Sequence, residues 1–127
     1  MVRRLPLVAA LVCLAFVVYV TVAKQAARPH FVGLDEPYIV VAIERVCAYC
    51  ALGFLLALAI QGRTLLLLSI ILAAAILPEM LQALQPDRDP SVFDALQKVA
   101  GGIMGFGLGR FVNTAFLALR AKLEKPR

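Results

Sequence analysis

Residues 64–84 read TLLLLSIILAAAILPEMLQAL, an apolar run whose one charged residue, Glu79, stands near its end. A helix of about 20 such residues crosses the ~30 Å hydrocarbon core of a bilayer. Further apolar segments of comparable length lie at 5–23, 38–60 and 93–119. None of them alternates with the period of two that a strand of a membrane barrel requires. The sequence therefore predicts an all-α, polytopic membrane protein, a bundle of four transmembrane helices.

The composition supports this fold class. Apolar residues make up 62% of the 127-residue chain and charged residues 17%, whereas soluble domains average about 45–50% and about 25%. Too few polar side chains are present to cover a soluble core, and the high hydrophobicity excludes a disordered chain. The net charge of +5 does not indicate nucleic-acid binding, because most basic residues flank the apolar segments. We expect one membrane domain, residues 1–127, with the lipid bilayer as its main partner.

The placement of Lys and Arg predicts the orientation of the chain. With the N-terminus inside, the inner segments hold seven basic residues, Arg3, Arg4, Arg63, Arg120, Lys122, Lys125 and Arg127. The outer loops, 24–37 and 85–92, then hold only Lys24, Arg28 and Arg88. Because cytoplasmic flanks accumulate positive charge, both termini are expected in the cytoplasm.

The first segment also has features of a signal peptide. Two arginines precede an apolar run that ends in small residues. The uncharged run 5–23 is longer than the ~7–15 residues of a signal-peptide core, which favours a retained anchor. Cleavage would leave three spans with unchanged orientation.

Polar residues of three helices fall at one depth. At 1.5 Å per residue, Glu44 and Arg45 lie about 9–10 Å inside the outer end of the second helix, and Glu79 about 8 Å inside that of the third. In the fourth helix, Asp94 lies about 5 Å deep and Lys98 about 10 Å deep. We therefore predict a polar cluster in the outer third of the membrane, formed by Glu44, Arg45, Glu79, Gln82, Arg88, Asp94 and Lys98.

This cluster is the candidate binding site, because a lone charge in lipid costs at least ~2.5–3.5 kcal/mol and needs a functional or structural reason. The i,i+4 pair Asp94–Lys98 is the ion pair expected first, and Arg45–Glu79 between helices is the second. Purely structural roles are the alternative: Asp94 as a helix cap, Lys98 extending outward to the interface, and Glu44–Arg45 as a local pair.

Glycine and proline predict how two of the helices pack. Gly101, Gly105 and Gly109 form a doubled GxxxG pattern, which gives a neighbouring backbone a flat strip for close approach. Since Asp94 and Lys98 share this stripe, we expect it to face the bundle. Pro78 interrupts the third helix and should leave a carbonyl near Ala74 without its helical donor.

Other chemistry finds little support in the sequence. Cys47 and Cys50 have CxxC spacing, but they lie in a membrane helix without a βαβ unit, so we interpret them as packing residues. His30 is the one histidine and lies in an outer loop, which excludes a histidine dyad inside the membrane. Neither a metal site nor a cofactor motif is predicted.

Several of these residues occur in an order that resembles the VanZ-like family, small bacterial membrane proteins named for a member linked to teicoplanin resistance. The resemblance covers about 43–110 and rests on ERVCAYCALGF (44–54), EMLQ (79–82), PDR (86–88), SVFD (91–94) and KVAGGIMG (98–105). It implies that Glu79 and Gln82 match the family's ExxQ motif, Arg88 its arginine, and Ser91 and Asp94 its SxxD motif. The sequence departs from the family in two places: no His accompanies Glu44-Arg45, and Lys98 stands where many members have Asn.

The resemblance implies a protein of the bacterial inner, or cytoplasmic, membrane that acts in the cell envelope. We expect a binding protein, rather than an enzyme, for a polar lipid-linked or cell-wall headgroup, with a homo-oligomer or a membrane protein as further partners. The alternative is a membrane enzyme that acts on a lipid-linked envelope precursor with Glu79 as acid or base. The absence of a nucleophile with an adjacent base favours the binding protein. Transport would require an oligomer, because four short helices scarcely enclose a pathway.

Overall fold

The computed structural model describes residues 4–26, 38–84 and 92–126. The described residues form four α-helices, α1 (Arg4–Ala26), α2 (Tyr38–Ala59), α3 (Thr64–Ala83) and α4 (Val92–Leu123). The all-α prediction is confirmed. The helices α2, α3 and α4 are long and apolar enough to cross a membrane, which indicates a bilayer environment. The apolar part of α1, Arg4–Tyr19, is shorter than those of the other three helices. That α1 crosses the membrane therefore stays a prediction.

Helix α4 extends beyond its predicted end at residue 119. Its 32 residues correspond to a length of about 48 Å, more than the ~30 Å hydrocarbon core requires. Arg120 and Lys122 occupy its last turn, where cations interact favourably with the C-terminal end of the helix dipole. Hydropathy does not register this stabilisation, which is why the prediction ended the helix at the last apolar residues.

Helices α2 and α4 run parallel and form the most extensive contact of the bundle. Gly101 lies on the backbone of Val46. Along the same seam, Gly105 lies on Cys50 and Gly109 on Phe54. Both series advance by four residues, so the two helices point in the same direction. The doubled GxxxG strip therefore faces the bundle, as its spacing predicts.

Helix α3 runs antiparallel to α4 and packs against both α2 and α4. One end of this contact joins Lys98 to Glu79, and the other joins Arg110 to Thr64. Ile71, midway along α3, lies against Gly102. Helix α1 packs on α2 and, less extensively, on α3. The fully buried side chains Leu52, Leu67 and Ile71 lie where α2 and α3 meet the rest of the bundle.

Two side-chain hydrogen bonds fasten the short α2–α3 turn to α4. Gln61 donates its Nε2 hydrogen to Oδ1 of the buried Asn113 at 3.1 Å. Arg110 donates from Nη2 to the Thr64 hydroxyl at 3.0 Å and lies over the Phe106 ring, 5.3 Å from its centroid. At this end of the three-helix core, the hydrogen bonds join two neutral groups or one charged and one neutral group. The ion pairs between helices lie at the opposite end.

Candidate functional site

Lys98 and Glu79 form an ion pair in the interior of the bundle. The Lys98 Nζ lies 2.5 Å from Oε1 of Glu79. The two residues are 3% and 8% exposed, so the pair is shielded on nearly all sides. The alternative in which Lys98 extends to the membrane surface is therefore wrong. Its ammonium is better stabilised by the carboxylate that α3 brings to the same depth than by the more distant interface.

Arg45 and Asp94 form a second ion pair, which is nearer to the surface of the protein. The Arg45 Nη1 lies 2.7 Å from Oδ1 of Asp94, and the two side chains are 31% and 19% exposed. This pair joins α2 to α4, whereas the Lys98–Glu79 pair joins α3 to α4. We refer to Arg45, Asp94, Glu79 and Lys98 as the four-residue cluster.

The partners differ from those expected first from the sequence. The sequence predicted that Asp94 pairs with Lys98 within α4 and that Arg45 pairs with Glu79. The same four residues form the ion pairs, but with the partners exchanged. Asp94 and Lys98 do stand one turn apart on the same face of α4, but each meets an opposite charge on a different helix. Helix α4 thus supplies one anion to α2 and one cation to α3.

One oxygen of the buried carboxylate has no hydrogen-bond partner. Glu79 accepts from Lys98 through Oε1, while Oε2 is buried and receives no hydrogen bond from the residues that the structure describes. Lys98 has three N–H donors, and in the described part of the chain one of them is used, by Glu79. Unsatisfied buried polar atoms cost free energy and are rare in folded proteins. The inner pair therefore has the capacity to bind one further polar group.

A hydroxyl group next to the cluster completes the backbone of α3. Because Pro78 has no N–H, the carbonyl of Ala74 lacks its helical donor. The Tyr49 hydroxyl of α2 donates to this carbonyl at 2.9 Å. The carbonyl that Pro78 leaves free is predictable from the sequence, but the role of Tyr49 was not predicted. Its signal is a hydroxyl donor on α2 at the same depth as this carbonyl.

The remaining predicted members of the cluster have different locations. Glu44 is exposed and takes no part in the two ion pairs described above. Gln82 belongs to α3, but its side chain lies outside what the structure describes, and so does Arg88. Ser91, which the resemblance matches to the SxxD motif, also lies outside the described residues. The structure therefore brings together four of the predicted residues, the four-residue cluster.

The described residues offer no evident metal or thiol chemistry. No group of three or more His, Cys, Asp or Glu side chains in the described ranges is arranged to hold a metal ion. Cys47 is exposed and Cys50 is half-buried on α2, and neither forms a disulfide. The arrangement offers charged donors and acceptors of hydrogen bonds, which suits recognition of a polar group.

No family model matches the chain, and neither a curated protein nor a solved structure is similar enough to count as a match.

Proposed function

We propose that this chain is a VanZ-like protein of the bacterial cytoplasmic membrane that binds the polar headgroup of a lipid-linked or cell-wall molecule. The observation that carries the proposal is the four-residue cluster, in which a shielded ion pair with an unused acceptor oxygen adjoins a partly exposed ion pair. The order of the VanZ-like motifs along 43–110 supports the family assignment. The distribution of Lys and Arg supports an orientation with both termini in the cytoplasm, in which the cluster lies towards the outer leaflet.

A role in stability alone would not account for the chemistry of the cluster. Buried ion pairs are often no more stabilising than well-packed apolar residues of similar volume. An acceptor oxygen left without a donor lowers stability further. Charged residues within membrane spans commonly mark the path or the site of a polar ligand. Recognition of a headgroup explains both the retained charges and the unused oxygen.

Lipid-resolved native mass spectrometry of the purified protein tests this function. The double substitution Glu79→Leu with Lys98→Met removes the inner pair without leaving an unpaired charge, and the matched control Arg120→Gln with Glu124→Gln removes an exposed ion pair at the far end of α4. We expect wild type and control to retain the same polar lipid from the membrane and the cluster variant to lose it. Identical lipid adducts on all three proteins would refute headgroup binding at the cluster.

The unpartnered Oε2 of Glu79 also supports the alternative of a membrane enzyme with Glu79 as acid or base. A second observation counts against an enzyme. The neighbouring hydroxyl that would serve as nucleophile, that of Tyr49, already donates to the Ala74 carbonyl. Incubation of the protein with labelled lipid-linked envelope precursor separates the two functions. Turnover that Glu79→Gln abolishes would establish the enzyme, and binding without product favours the binding protein.

A further inference from the structure

The charges of the four-residue cluster are balanced, and this limits the ligand that it accepts. Arg45 and Lys98 supply two cations, and Asp94 and Glu79 supply two anions. Each cation already contacts a carboxylate. A phosphate that accepted a hydrogen bond from either cation would bring its negative charge next to the carboxylate that already contacts that cation, and this repulsion is costly in a bundle surrounded by lipid.

A ligand ammonium group is disfavoured for the corresponding reason. It would reach Glu79 Oε2 only by approaching Lys98, whose Nζ lies 2.5 Å from the other oxygen of the same carboxylate. Like charges at such separation repel strongly where little water is present. The balanced inner pair therefore favours a group without net charge.

A hydroxyl group matches the inner pair without displacing either member of the pair. It donates to Glu79 Oε2, which has no donor, and it accepts from one of the N–H groups of Lys98 that Glu79 does not use. Such charge-assisted hydrogen bonds are stronger than those between neutral groups. One hydroxyl thus satisfies a buried acceptor and a buried donor together.

The outer pair, Arg45 and Asp94, lies one turn away from the inner pair along α4. Asp94 and Lys98 are four residues apart on α4, which separates their backbone positions by about 6 Å along the helix axis. This separation is comparable with the width of a hexose ring, whose edges carry several hydroxyl groups. The partial exposure of Arg45 and Asp94 gives the ring access from the surface of the protein.

We infer that the headgroup bound at the four-residue cluster is a neutral sugar, so that the ligand is a glycolipid with its hydroxyl groups between the inner and outer ion pairs. This inference rests on the proposed function and names the ligand class for the same site. It assigns the primary contact to Glu79 and Lys98 and the supporting contact to Arg45 and Asp94.

The test measures competitive binding of four lipids with identical acyl chains by native mass spectrometry. The lipids are monoglucosyl diacylglycerol, phosphatidylglycerol, phosphatidylethanolamine and diacylglycerol. A polyoxyethylene detergent is used for purification, because maltoside detergents carry a sugar headgroup and would compete. We expect wild type to prefer the glucosyl lipid over each of the others by about tenfold or more, since a hydroxyl that satisfies buried partners contributes strongly to discrimination.

Two double variants test whether the lipid preference depends on the four-residue cluster. Glu79→Leu with Lys98→Met should abolish the preference, and Arg120→Gln with Glu124→Gln should keep it. Circular dichroism and thermal unfolding verify that the cluster variant is folded, which is expected because an apolar pair replaces the ion pair. A preference for phosphatidylglycerol or phosphatidylethanolamine that the cluster variant loses would overturn the sugar assignment and leave headgroup binding intact. Binding of all four lipids equally, by every variant, would overturn both.

Discussion

Lys98 shows how a bundle of this size accommodates a cation within a membrane span. Its long side chain would allow the ammonium to reach the interface, yet the residue is 3% exposed and meets Glu79. Two features of its surroundings favour the buried position. Glu79 of α3 supplies the counter-charge, and the glycine strip that follows Lys98 on α4 holds α2 in close contact.

The first prediction concerns energetic coupling within the inner pair. Glu79→Gln and Lys98→Met should each lower the free energy of unfolding by about 3–5 kcal/mol, because each leaves its buried partner without a counter-charge. The double substitution should cost much less than the sum of the two. Unfolding in detergent micelles, followed by circular dichroism, measures the cycle. The same cycle at the exposed pair Arg120–Glu124 should give less than about 1 kcal/mol of coupling, and additive effects at Glu79 and Lys98 would contradict the coupled pair.

The second prediction concerns the bond between Tyr49 and the Ala74 carbonyl. Tyr49→Phe should lower the free energy of unfolding by about 1–3 kcal/mol, because it leaves a buried carbonyl without a donor. With Pro78→Ala in the background, the backbone N–H of residue 78 becomes available to Ala74, and the cost of Tyr49→Phe should fall. Tyr19→Phe, at a residue that is 70% exposed, serves as the control and should have little effect. An unchanged cost in the Pro78→Ala background would show that Tyr49 does not substitute for the missing helical donor.

At the scale of elements, the third prediction concerns the contact between α2 and α4. An ideal Cβ on Gly105 would overlap the backbone carbonyl of Cys50, whereas a Cβ on Gly107 would meet nothing within 4 Å. Gly105→Leu should therefore separate the helices and lower the free energy of unfolding by about 1–3 kcal/mol or more. Gly107→Ala should instead stabilise α4 by about 0.5–1 kcal/mol, since glycine is a poor helix former. Thermal unfolding of the two variants in the same detergent compares their stabilities. Equal stability would show that the glycine strip of α4 is not a tight contact.

Helix formation and depth could be predicted from the sequence, but the partners of the charged residues could not. Hydropathy gave α3 almost to the residue, because Gly62 and the polar stretch around Pro86 bound a continuous apolar run. Depth along each helix follows from a constant rise, so Glu79 and Lys98 were expected at one level. The choice between Asp94 and Glu79 as partner of Lys98 depends on how each helix is rotated about its axis. The glycine pattern predicts the rotation of α4, but the rotations of α2 and α3 against it depend on which backbone or side chain each glycine contacts, and no pattern within one helix contains that information.

For the whole molecule, the fourth prediction concerns orientation. In a variant without native cysteines, Asp89→Cys should react with a membrane-impermeant maleimide on intact cells, and Arg63→Cys should react only after lysis. The reason is the excess of Lys and Arg on the segments assigned to the cytoplasm. Mass-tag labelling resolved on gels measures both reactions. The reverse pattern, with Arg63→Cys labelled on intact cells, would invert the orientation and place the four-residue cluster in the inner leaflet.

The parallel contact of α2 with α4 has a consequence for biogenesis. During synthesis α2 and α3 leave the ribosome first, and each brings a charge, Arg45 and Glu79, whose partner is still to be translated. Helix α4 carries both of these partners, Asp94 and Lys98, together with the glycines against which α2 packs. A nascent chain that stops before α4 therefore lacks the partners that Arg45 and Glu79 have in the folded bundle, and its assembly waits for this one helix.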